Sequence, residues 1–137
     1  MSEYMERAKQ LRAIVTPHYN CAQSVVMPFA ERAGIDEETA RRFAANFGGG
    51  MKRGSVCGAV TGGLMALGLF GLDDARSVAE FHRRMRENHE GCLNCAELLR
   101  LNSEAGGDKK QHCDAMVFEA VEIVEELLAQ NGIINME

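Results

Sequence analysis

Apolar residues recur along the chain at three- and four-residue intervals, and the two-residue alternation of half-buried strands is missing. This periodicity predicts a first helix from about Glu3 to Val15, stopped before Pro17. A second runs from Tyr19 to Ala33, kinked or thinned at Pro28 and ended by Gly34. Asp36 with the acidic turn Glu37-Glu38 starts a third, which ends near Asn46. The stretch from Gly48 to Gly54 reads as a loop of very permissive backbone. A fourth helix spans about Ser55 to Phe70, and a fifth runs from Asp73 or Asp74 to about Glu90. Asn94 caps a short sixth helix carrying Cys95, Leu98 and Leu99, and a polar loop from Asn102 to Lys110 leads into a last helix, Gln111 to Gln130. The expected fold is all-α: one domain over residues 1–137, a compact bundle of about six to seven helices around a central Gly-rich apolar helix.

That central segment, Val56 to Leu72, has no charged residue and contains five glycines. It falls short of the roughly 20 apolar residues that a membrane span needs, so a buried helix is expected and no membrane span. Gly58, Gly62 and Ala66 repeat every four residues, a spacing that lets another helix approach closely. Because this helix is apolar all round, the expectation is a homodimer with neighbouring helices at the interface. The last helix carries its apolar stripe on Cys113, Met116, Val117, Ala120, Val121, Val124, Leu127 and Leu128. Its acidic residues Asp114, Glu119, Glu122, Glu125 and Glu126 read mostly as a solvated face.

Composition narrows the function. Fifteen Lys and Arg against twenty Asp and Glu give a net charge of -5, which argues against nucleic acid as partner. Trp is absent and aromatics are 6%, so base-stacking platforms are not expected. Residues 1–7 lack the basic and apolar regions of a secretory leader, and the expected location is the cytoplasm. In that reducing setting five cysteines, an odd count, do not read as a disulfide framework. They are buried small hydrophobes, metal ligands or redox thiols.

Four of them fall near predicted helix starts. Cys57 follows the Gly-rich loop and opens the apolar helix, with Lys52 and Arg53 close in sequence. A positive helix N-terminus favours a thiolate, so Cys57 is a candidate low-pKa thiol or metal ligand. Cys21, Cys95 and Cys113 lie at the starts of three other helices. If the four N-termini meet, they make a positive pocket suited to thiolates or to a thiolate-bound cluster. The competing reading is four cysteines buried independently as core packing. Cys92 and Cys95 form a C-x-x-C without a following His, which excludes haem attachment. No second short-spaced pair completes a zinc site. His18 and His112 are candidate extra ligands or proton carriers. The glycines at 49 and 54 lack the Lys of a phosphate-binding loop, and no nucleotide is expected.

The segments Asn20-Cys21-Ala22-Gln23, Gly48-Gly49-Gly50, Cys57-Gly58-Ala59-Val60-Thr61-Gly62, Leu64-Met65-Ala66-Leu67-Gly68, Cys95-Ala96-Glu97-Leu98-Leu99 and Cys113 resemble, in order and spacing, the bacterial C_GCAxxG_C_C family of redox-active proteins. The resemblance matches Cys21, Cys57, Cys95 and Cys113 to the family's four cysteines and leaves Cys92 as an extra one. A related domain in split-Soret cytochromes is associated with a non-haem iron–sulfur centre. The resemblance therefore implies a redox protein whose four cysteines converge, either as ligands of an iron–sulfur cluster or other thiolate-bound metal, or as redox-cycling thiols. It implies an electron-transfer partner without naming one. The alternative function is a helical interaction or assembly module.

Overall fold

A computed structural model describes residues 2–135 of the chain. Seven α-helices follow in order: α1 (Glu3–Ala13), α2 (Cys21–Arg32), α3 (Glu37–Ala44), α4 (Gly58–Leu69), α5 (Ala75–Glu87), α6 (Cys95–Glu104) and α7 (Lys109–Gln130). A short 3-10 turn, Ala45–Phe47, extends α3. Among the described residues no helix is long and apolar enough to cross a membrane.

The helix starts follow side-chain chemistry. Ser2, Asp36, Asp74 and Asp108 each accept a backbone N–H three residues on, so their helices begin with one orphan amide satisfied. Asn20 does more. Its side chain accepts from Gln23 N at 2.8 Å while the Gln23 side chain accepts from Asn20 N at 2.8 Å, a closed capping box. The spare amide groups of both residues then donate to carbonyls of the α3 region, Asn20 to Ala45 and Gln23 to Arg41. The box thus moves the start of α2 from the expected Tyr19 to Cys21 and ties it to a neighbouring helix.

α2 and α4 form the central pair. Pro28 lies inside α2 without ending it, and the run from Ala22 to Ala30 is buried throughout. α4 lays its small residues on α2. A methyl group at Gly62 would stand 2.7 Å from the Ala22 carbonyl oxygen and 3.1 Å from the Ala22 Cα. Gly58 and Gly62 are therefore used within the chain, where the backbone of α2 fills the space beside them. α7 covers α2 and α4 together, and α5 closes α4 from the side, with Phe81 and Met85 fully buried. Leu64, Met65, Leu69 and Phe70 of the α4 region remain half-buried.

The acidic face of α7 is less solvated than its pattern implied. Glu125 is buried and accepts from the Ser2 hydroxyl. Glu126 pairs with Arg84, and Glu119 with His89 at 2.7 Å. Glu126 and Glu119 are thus partnered by α5 and its following turn and Glu125 by the residue that caps α1, because α7 packs on more than one side.

The close approach of α2 and α4 gives a paired test. Gly62→Ala should lower stability by about 1–3 kcal/mol, since backbone faces the added methyl. Gly68→Ala, in the last turn of α4 with open space around it, should raise stability by roughly 0.4–1 kcal/mol. Denaturant midpoints of the two variants, moving in opposite directions, check both.

Candidate functional site

The starts of α2, α4, α6 and α7 meet at one end of the bundle. Cys21, Cys57, Cys95 and Cys113 all line a single cavity of about 280 Å³ there. All four are free thiols. Cys21 and Cys95 are the first residues of α2 and α6, and Cys57 is the N-cap of α4. Cys113 lies one turn inside α7, because Asp108 starts that helix earlier than the expected Gln111.

Two local devices bring these starts together. Gly58 is the first: a methyl on it would lie 3.1 Å from Ala22 N and 3.2 Å from Cys21 Cβ, so glycine lets the α4 start sit against the α2 start. The second is the segment after the 3-10 turn. Gly49, Gly50, Met51 and Lys52 all have positive φ, between 56° and 64°. The predicted permissive loop is thus a left-handed coil, in which Met51 and Lys52 adopt a conformation that side chains disfavour. The coil is closed by Ser55 N donating to Gly50 O at 2.8 Å. At Gly50 a methyl would fall 2.4 Å from Ser55 O and 2.8 Å from Cys95 Cβ. Backbone bonds then staple the strand-like residues before α4 and α6: Cys57 N donates to Leu93 O at 2.8 Å, and Cys95 N to Ser55 O at 2.7 Å. An antiparallel bridge between Val56 and Asn94 lies between them. Asn94 occupies the cap position of α6 as expected, but its side chain makes no capping hydrogen bond.

The thiols are not equivalent. Cys21 and Cys113 both line the cavity and perturb each other. Interaction with the Cys21 thiol lowers Cys113 to about 7, burial opposes this, and the charges of Arg12 and Lys109 add to it. The same pairing, with burial, pushes Cys21 up. Cys57, the expected low-pKa thiol, is 5% exposed. Burial raises it to about 11, and the amides of Ala59 and Val60 at the α4 start offset only part of that. Burial also pushes Cys95 up. The low pKa expected of Cys57 from its helix start is therefore not what the structure gives: desolvation outweighs the N-terminal amides there. Lys52 and Arg53 do not supply the expected field either. Neither lines the cavity, and Lys52 donates to Asn46 instead.

The cations that line it are Arg12, Lys109 and Lys110. Arg12 is 7% exposed and held by Asp114 at 2.7 Å and by the Tyr19 carbonyl at 2.9 Å. Lys110 bonds Asp114 at 2.9 Å and the Arg12 carbonyl at 3.1 Å. Sequence reading missed all three, because nothing local links residue 12 to residues 109 and 110. His18 and His112 also line the cavity, and burial pushes His112 down. Cys92 does not line it; its thiol faces the Asn94 carbonyl at 3.9 Å.

A single metal ion requires at least three ligands at one point, and among the described residues no three His, Cys, Asp or Glu side chains gather that closely. The donors border one cavity without forming such a cage, so the arrangement fits a lone metal ion poorly. An iron–sulfur cluster takes its thiolates on different irons, and Cys21, Cys57, Cys95 and Cys113 around the cavity are the residues that would hold one.

Compared with known proteins, residues 19–127 match the family model described as "Putative redox-active protein (C_GCAxxG_C_C)". No curated protein and no solved structure matches the chain. The matched span starts before Cys21 and ends beyond Cys113, taking in all four cavity cysteines and most of the bundle that positions them: the chain belongs to the C_GCAxxG_C_C family.

Proposed function

We propose that the protein exchanges electrons through its thiols, with Cys113 as the attacking sulfur and Cys21 as its resolving partner. The observation that carries this reading is that Cys21 and Cys113 line one cavity together with Arg12 and Lys109. The reaction is written with a disulfide as oxidant. The Cys113 thiolate attacks one sulfur of the substrate disulfide, the substrate S–S bond breaks, and one thiolate leaves with the electron pair. Cys21 then loses its proton to that thiolate and attacks Cys113 in the mixed disulfide. The second substrate thiolate departs and takes a proton from solvent. Two electrons pass from the protein to the substrate, which becomes two thiols, while Cys21 and Cys113 become one disulfide. The field of Arg12 supports the thiolate that starts the sequence. Cys57 and Cys95 border the same cavity and are the sulfurs next in reach for further exchange.

Mapping the oxidised protein tests this directly. One equivalent of a small disulfide, added to anaerobically purified protein, should yield chiefly a link between Cys21 and Cys113. Cys113→Ser should abolish rapid oxidation, and Cys92→Ser should leave it nearly unchanged. Iron and acid-labile sulfide bound to the purified protein, with the four thiols protected from alkylation, would overturn the reading in favour of a cluster.

The pH profile gives a second check. A thiol whose pKa is lowered is charged above that lower value, so Cys113 alkylation should rise through about pH 7. An ordinary thiol rises near about 8.5. Cys57, raised to about 11, should stay unreactive across this window. Cys21→Ala removes the neighbouring thiol and should move the Cys113 midpoint upward, as read by residue-resolved mass spectrometry after iodoacetamide pulses.

A further inference from the structure

We infer that the cysteine cavity takes an anionic substrate, a small disulfide bearing carboxylates, and discriminates against neutral and cationic ones. The inference rests on the thiol reading above and adds the chemical class that the cavity accepts.

The charge around the cavity is opposite to that of the molecule. The chain carries -5 overall, yet three cations and no carboxylate line this space. Asp114 stands just outside and neutralises one charge of the pair formed by Arg12 and Lys110. Lys109, the first residue of α7, has no ion-pair partner among the described residues and lines the opening. A net positive field therefore remains where a ligand enters.

The backbone points the same way. The first residues of four helices, Cys21, Gly58, Cys95 and Lys109, all line this one cavity. Each start contributes partial positive charge. Two of the four are not neutralised by a cap: neither Cys57 nor Asn94 makes a side-chain capping hydrogen bond. The remaining walls include Leu98, Leu99 and Met116, which suit the aliphatic body of a small carboxylic acid. At about 280 Å³ the cavity sits at the low end of ligand sites, which start near roughly 300 Å³. That suits a small molecule better than a protein disulfide.

The arrangement has a chemical consequence. The carboxylate of such a disulfide would settle toward Lys109 and the open helix starts, leaving its S–S bond beside Cys113. After exchange, the half bound to Cys113 keeps its carboxylate, so the same field that attracts the oxidant also orients that half while Cys21 attacks.

The test compares three disulfides of similar size: dithiodipropionate, a dianion; hydroxyethyl disulfide, neutral; and cystamine, a dication. Oxidation rates of the native protein are measured at low salt and divided by those of thioglycerol, a neutral thiol, with the same reagents. The dianion should exceed the dication by at least about tenfold, in line with steering by a charged cleft. The gap should close as salt is raised toward about 1 M, where screening acts within about 3 Å. Lys109→Gln should reduce the ratio of dianion to neutral rates about threefold or more, and Lys109→Arg should preserve it. Using the ratio removes any change in Cys113 reactivity itself. Equal normalised rates for the three reagents, with the link between Cys21 and Cys113 still forming, would overturn this inference and leave the thiol reading standing. If none of the reagents oxidises the pair, both fall.

Discussion

The site depends on how closely two helices can come together. α4 rests on α2 with glycine against the Ala22 backbone, at Gly58 and again at Gly62. Side chains larger than hydrogen at these positions would hold the helices apart. The helix starts would then separate, and with them Cys21 and Cys57. The C-G-A-x-x-G core therefore couples a reactive residue type to the packing that places it. Tight interiors transmit such displacements because they have little free volume to absorb them.

Around that contact, competing electrostatic effects assign different properties to chemically identical thiols. A helix start favours a thiolate, but only by the strength of a few amide dipoles. At Cys57 the loss of water is the larger effect, and the thiol is stabilised as neutral. Cys113 is less buried, is lowered by the neighbouring Cys21 thiol, and stands in the field of Arg12 and Lys109. An acidic chain thus concentrates cations where a reacting anion would stand. The ion pair of Arg12 with Asp114 and the bond from Lys110 to the Arg12 carbonyl also link α1 to α7, so positioning and charge come from the same contacts.

The left-handed coil from Gly49 to Lys52 serves the second half of the site. It turns the chain sharply enough for Ser55 and Cys57 to pair with Leu93 and Cys95 through the backbone. Cys95 is held by these bonds in place of a side-chain cap on α6. The unfavourable conformations of Met51 and Lys52 are sustained by the closed hydrogen bonds around them.

Most of the fold was legible locally. Three- and four-residue apolar spacing, with caps at Asp36 and Asp74, marked the helices, because a helix is organised by residues close in sequence. The four cysteines were legible too, from their positions near helix starts and from the family pattern. Local signals were weaker at boundaries set by partners: the Asn20 box shortened α2, and Asp108 lengthened α7. The ranking of the thiols was not legible. It turns on burial at Cys57 and on the meeting of Cys21 with Cys113, 92 positions away. Nor were the cavity cations, since Arg12 reaches the site from α1 and Lys109 from α7. The sequence by itself determined which segments become helices and which residues carry sulfur. Only the tertiary structure decided which sulfur is exposed to charge and which to apolar packing, because desolvation and Coulomb interaction depend on distance in space and not along the chain.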